Sequence, residues 1–168
     1  VVPEDMGFAF TPKRYEKPIL VYGTSIAQGA CASRAGMAWT NILAREMNMP
    51  MINMAFSGNG RMETEVINLI TQIDPAVFVI DCLPNLGSFS ANEVKDKLMF
   101  AVHSIRSKYP DTPILLTEHA GYSDGLVFEP RADIYENLNS WLQESIKRLK
   151  DSGVTGIYTL TKDEIGMG

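Results

Sequence analysis

With 168 residues, 45% apolar content and a net charge of −5, the chain is sized for one domain with one core and carries no basic stripe for nucleic acid. No apolar run reaches the roughly 20 residues that cross a bilayer, and no secretory signal peptide opens the sequence. Cys31 and Cys82 are too few for a disulfide scaffold and lack metal-ligand spacing, so neither a metal nor another cofactor is expected.

Residues 1–17 carry Pro3, Gly7 and Pro12 without a sustained period and read as an N-terminal arm or linker, leaving 18–168 as the domain. Val1 is not a natural start, so this end is a processed or chosen boundary. A secreted or periplasmic location would follow only from a signal peptide upstream of it. From Ile19 to Tyr22 a short apolar run predicts a strand buried on both faces, as in a parallel sheet. It stops at Gly23 and presents Thr24 and Ser25. Reactive groups in open α/β sheets sit just past such strand ends, although Thr24 and Ser25 could equally cap the next segment.

A loop of small residues over 27–36 should lead to a helix over 37–47, with Trp39, Ile42, Leu43 and Met47 as its apolar stripe. Residues 51–56 read as the second strand, ending in Ser57-Gly-Asn-Gly60; a helix over 62–73 follows, with Val66, Ile70 and Ile73 on one side. The third strand covers 76–82 and ends in Leu83-Pro-Asn-Leu-Gly87. Ser90 and Glu93 form a capping box for a helix carrying Val94, Leu98, Val102 and Ile105. A fourth strand over 113–118, a helix over 132–150 closed by Gly153, and a fifth strand over 154–158 complete the pattern. Five strands alternating with helices predict a three-layer α/β/α sandwich around a five-stranded parallel sheet, order 2-1-3-4-5, with helices on both faces.

Three successive strand ends supply Ser25, the Gly58-Asn59-Gly60 turn and Asn85. Tyr22-Gly-Thr-Ser-Ile-Ala-Gln-Gly29 resembles the first block of the SGNH (GDSL-like) hydrolases, with Thr24 where the family usually has Asp. Asn53-Met-Ala-Phe-Ser-Gly-Asn-Gly60 resembles the second block, and Asp81-Cys-Leu-Pro-Asn85 the third. The resemblance implies a flavodoxin-like fold and a serine esterase in which Ser25 attacks an ester carbonyl. It further implies that the Ser25 N–H, the Gly58 N–H and the Asn85 amide meet the oxyanion, with Gly60 as the alternative backbone donor to Gly58. Fixed donors at a developing oxyanion are the chemistry such a step needs. Thr24, Asn59, Arg61 and His119 are the candidate substrate contacts. The closest likeness is to carbohydrate esterases, which points to an O-acyl, above all acetyl, ester of a carbohydrate or small molecule as substrate. A lipase-type acylhydrolase and a ligand-binding module without chemistry are the alternatives.

One departure stands out: the family's late Asp-x-x-His is absent. His103 sits in the capped helix as a surface or boundary residue, and His119 follows strand four, one strand further from Ser25 than strand three. A general base must come within about 3 Å of its nucleophile. The expected catalytic His and Asp therefore fall beyond Gly168. Arg34 beside the first block reads as solvated, Asp81 and Glu118 as buttresses accepting from nearby loop groups, and Cys31 and Cys82 as packed, inert thiols. Oligomeric state is not legible.

Overall fold

The computed structural model describes Gly7, Ala9, Phe10, residues 16–125 and residues 127–166. Most of the arm expected over 1–17, and the last two residues, therefore lie outside the described residues. Five parallel strands, β1 (Ile19–Gly23), β2 (Met51–Ala55), β3 (Val77–Asp81), β4 (Ile114–Thr117) and β5 (Ile157–Leu160), form one sheet in the expected order β2-β1-β3-β4-β5. In register, Gly23 lies opposite both Ala55 and Asp81, so β1, β2 and β3 end level with one another.

The connecting helices are α1 (Ser25–Gln28), α2 (Trp39–Glu46), α3 (Thr64–Ile70), α4 (Ala91–Lys108), α5 (Glu129–Asp151) and α6 (Lys162–Ile165). Their placement follows from handedness. The chain steps from β1 to β2 in one direction and thereafter always in the other, so right-handed crossovers send α3, α4 and α5 to one face and leave α1 and α2 on the opposite one. The first face is the core: Leu20, Tyr22, Phe78, Ile80, Ile114 and Leu116 are fully buried against Ile67, Leu98, Ile105, Leu142 and Leu149 of α3, α4 and α5. On the second face Val21 and Ala27 are buried, whereas Val77, Val79 and Met51 are only partly so. A groove of about 390 Å³ runs there, lined by Val21, Trp39, Val79, Leu115 and Leu160.

The capping box at Ser90 and Glu93 is present in full and starts α4 where expected. The other helix boundaries differ from the periodic reading. Residues 35–37 form a separate 3-10 turn before α2, because Ala38 adopts an extended conformation between them. Helix α3 starts two residues late, since Met62 takes a left-handed φ of 53° and Glu63 is extended. Helix α5 starts three residues early, with Pro130 in its first turn, where the missing N–H costs nothing. Helices α1 and α6 are too short for a periodic signal. No described helix is long and apolar enough to cross a membrane.

Candidate active site

The end of β1 is shaped by a close approach. A Cβ on Gly23 would stand 2.6 Å from the Asp81 carbonyl oxygen and 2.7 Å from the Ala27 Cβ, so no side chain fits. The Thr24 N–H then donates to the Asp81 carbonyl at 3.1 Å, and the Thr24 hydroxyl accepts the Ile26 N–H at 3.4 Å as the N-cap of α1. Thr24 is only 1% exposed. Its hydroxyl thus fills the capping role open to it in the sequence. Ser25 is the first residue of α1 and is partly exposed. The helical turn ends at Gly29, whose φ of 77° lets its N–H return to the carbonyls of Ser25 and Ile26, each at 3.1 Å. Asn53 fixes this turn from β2: its Nδ2 donates to the Ala27 carbonyl at 2.9 Å and to Thr40 Oγ1 at 3.1 Å.

The loop after β2 is fastened to the same strand end. The Phe56 N–H donates to the Gly23 carbonyl at 2.9 Å, and the Ser57 N–H donates to Gln28 Oε1 at 3.0 Å. Gly58 and Gly60 both have left-handed φ, 72° and 66°, but their surroundings are opposite. A Cβ on Gly60 would fall 2.0 Å from the Gly23 carbonyl oxygen, whereas one on Gly58 would meet nothing within 4 Å. Gly60 is a packing glycine and Gly58 an open one. Asn59 and Arg61 are exposed. Glu63 turns back over this loop: its Oε2 accepts the Tyr22 hydroxyl and, at 2.8 Å, the Arg61 N–H.

After β3, residues 83–85 form a 3-10 turn with Pro84 in its first positions. The Asn85 side-chain amide donates to the Asn59 carbonyl, which ties the third loop to the second. Thus the segments bearing Ser25, Gly58 and Asn85 are interlinked at the carboxyl end of the sheet. A small pocket is lined by Ser25, Ile26, Gly29, Cys31, Ala32 and Trp39. It shares Ile26 and Trp39 with the apolar groove on the second face.

The histidines lie elsewhere. His103 is exposed on α4. His119 is 1% exposed, with its backbone clasped by Asn139 (N–H to Oδ1 2.8 Å; carbonyl from Nδ2 3.1 Å) and its Nδ1 accepting the Gly121 N–H at 2.9 Å. Its ring sits 4.5 Å from that of Tyr122 and 5.7 Å from that of Tyr135, and its buried Nε2 has no hydrogen-bond partner. Burial, helped by the positive charge of Arg131, pushes its pKa down to about 4, so the ring is neutral at neutral pH. Among the described residues no histidine is hydrogen-bonded to Ser25.

Asp81 accepts the Thr117 hydroxyl at 2.8 Å, and burial raises its pKa against that bond; Glu118 accepts the Lys162 N–H at 2.8 Å and Gln143 Nε2 at 2.6 Å. Both act as buttresses. Cys82 is wholly buried and its thiol is pushed up by burial and by Asp81, but Cys31 is exposed, contrary to the packed position expected for it, because the small residues around it form surface turns. Arg34 is exposed. Among the described residues no three His, Cys, Asp or Glu side chains gather as metal ligands.

The sequence pattern of the GDSL-like lipase/acylhydrolase family matches residues 16–168. The chain belongs to this family. Among solved structures it is similar to a Bacteroides ovatus protein described as a GDSL-like lipase, at 35% identity and a TM-score of 0.81, over 88% of this chain and 43% of that one. It also resembles the salicylyl-acyltransferase SsfX3 of a tetracycline biosynthetic pathway, at 17% identity and a TM-score of 0.72, over 89% of this chain and 44% of that one. A family two carbohydrate esterase from Clostridium thermocellum, solved with cellohexaose, matches at 18% identity and a TM-score of 0.70, over 91% of this chain and 56% of that one. The chain thus spans about half the length of these relatives, and the two more distant ones share its fold. No curated protein matches it.

Proposed function

We propose that this protein is a serine esterase that hydrolyses O-acyl esters of a carbohydrate or another small molecule. Ser25 Oγ attacks the ester carbonyl, the alcohol leaves with a proton to give an acyl-Ser25 ester, and water then releases the carboxylic acid and restores the hydroxyl. The observation that carries this reading is the bond from the Asn85 amide to the Asn59 carbonyl, which links the third loop to the glycine turn beside Ser25. That amide has a second hydrogen to offer to an oxyanion. Gly58 is preferred over Gly60 as the backbone donor because Gly60 is pressed against Gly23 while Gly58 is open on its side-chain face. Asn59 and Arg61, both exposed, are the residues we assign to the alcohol part of the substrate. Thr24 acts through the turn that it caps, and His119 is not assigned the proton transfer, since its buried ring packs on Tyr122 and Tyr135 and makes no hydrogen bond to Ser25.

An acetyl group on a carbohydrate is the preferred substrate, supported by the Gly-Asn-Gly turn and by the fold shared with a carbohydrate esterase. A longer acyl chain is the second reading, favoured by the apolar lining of the Ser25 pocket, which includes Ile26, Ala32 and Trp39. Hydrolysis of p-nitrophenyl acetate and octanoate by the full-length encoded protein, with and without Ser25→Ala, tests both. Activity lost with the hydroxyl and highest on acetate is expected; preference for octanoate selects the second reading, and activity that survives Ser25→Ala refutes the mechanism.

A further inference from the structure

Tyr22 lies three residues before Ser25, wholly buried on the core face of β1. Packing alone would be met by Phe, so the hydroxyl is the feature to explain. It donates to Glu63 Oε2 and accepts the Glu63 N–H at 3.2 Å, while the same carboxylate oxygen accepts the Arg61 N–H at 2.8 Å. Glu63 occupies the N-cap of α3, yet its side chain caps none of that helix's N–H groups. It is turned back over the residues that precede it. Between the two anchored backbone amides stands Met62, buried and held at a φ of 53°, a conformation that residues with side chains adopt only when their surroundings impose it.

The loop after β2 therefore hangs between two fixed ends. At its start, Phe56 and Ser57 are bound to Gly23 and Gln28; at its finish, the Glu63 N–H is bound to the Tyr22 hydroxyl, and the Arg61 N–H to the Glu63 carboxylate that the same hydroxyl holds. Gly23 and Tyr22 belong to β1 and Gln28 to α1, the elements that deliver Ser25. Gly58 has nothing packed against its open face, so the direction of its N–H depends on those two ends and on Asn59 beside it, whose N–H is bonded to Phe56 and whose carbonyl is bonded to Asn85. Resting on the esterase reading above, the geometry points to Tyr22 and Glu63 as a positioning pair that holds the Gly58 donor in register with Ser25. The pair keeps one proton: burial, then Cys82 and Glu63, drive the phenol far above its usual range. Burial would also raise Glu63, but the bonds from Tyr22 and from the loop N–H groups outweigh it and leave the carboxylate ionised.

Three substitutions in the full-length protein test this: Tyr22→Phe, Glu63→Ala and Glu63→Gln. For an activated acetyl ester, Tyr22→Phe and Glu63→Ala should each lower kcat about 10–100-fold, short of the roughly 10²–10³ expected from removing a donor outright. KM should stay within about twofold, because the loss falls on the transition state. Glu63→Gln, whose amide oxygen can still accept from Tyr22 and Arg61, should recover most of kcat. Amide hydrogen exchange over Ser57–Glu63 should accelerate in the first two variants and leave α5 unchanged. If Tyr22→Phe fails to fold, Glu63→Ala carries the same comparison from a partly exposed position. An active wild type with undiminished kcat or unchanged loop exchange in these variants overturns the positioning role alone. A wild type that hydrolyses no ester overturns the esterase reading, and this role with it.

Discussion

Replacing Gly60 by alanine should cost far more than the same change two residues earlier. At Gly60 the new Cβ would lie 2.0 Å from the Gly23 carbonyl oxygen, against a floor of 3.0 Å for such contacts, so β1 or the loop must move by at least about 1 Å. Left-handed φ adds about 1–2 kcal/mol for a residue with a side chain, and forcing packed backbone apart adds about 1–3 kcal/mol, for a total of about 2–5 kcal/mol. At about 2–4 °C per kcal/mol for a chain of this size, Tm should fall on the order of 10 °C. Gly58→Ala shares the left-handed φ but meets no neighbour, so it should cost only about 1–2 kcal/mol. Circular-dichroism melts of the two variants beside wild type give the comparison. Equal losses, or a Gly60→Ala protein melting within 2–3 °C of wild type, about the effect of 1 kcal/mol, would show that the approach of Gly60 to Gly23 does not hold the loop.

Asn85→Ala should lower kcat on an activated ester by about 10²–10³ while costing only about 0.5–1.5 kcal/mol of stability from its bond to the Asn59 carbonyl; kcat measured beside a melt checks both, and an undiminished kcat removes Asn85 from the mechanism. His119 makes the fold acid-sensitive: unfolded histidine titrates near 6.5 and His119 at about 4, so between these values only the unfolded chain takes up the proton and stability falls as pH falls, with no further contribution below about pH 4. In His119→Gln the slope of stability against pH across that window should be shallower by up to one proton, read from denaturant titrations at several pH values; an unchanged slope would show that the ring titrates alike in both states.

The sheet order was legible because each buried strand is a short apolar run closed by turn residues, and only one order suits a flavodoxin-like alternation of this length. The uneven distribution of helices was also implicit, since handedness alone assigns α3, α4 and α5 to one face. At the site, three ordered sequence blocks point to Ser25, Gly58 and Asn85. Much of what holds those segments together was not visible. Tyr22 reads as one more apolar strand residue, and nothing in its neighbours says that its hydroxyl reaches a residue 41 positions away. Gln28 and Asn53 are single polar side chains whose partners are backbone groups of other segments, which no spacing rule encodes. Gly58 and Gly60 look equivalent in sequence and differ only in what stands beside them. His119 could be placed at the functional end of the sheet, but its burial depends on Tyr122, Tyr135 and Asn139 folding over it from later in the chain.

The central claim is that Ser25 is a nucleophile. A reporter-tagged fluorophosphonate, from which an activated serine oxygen displaces fluoride, should label the full-length protein on the peptide that contains Ser25. Labelling should vanish in Ser25→Ala and slow in Asn85→Ala. A folded wild type that takes no label, or takes it on another residue, would contradict the account.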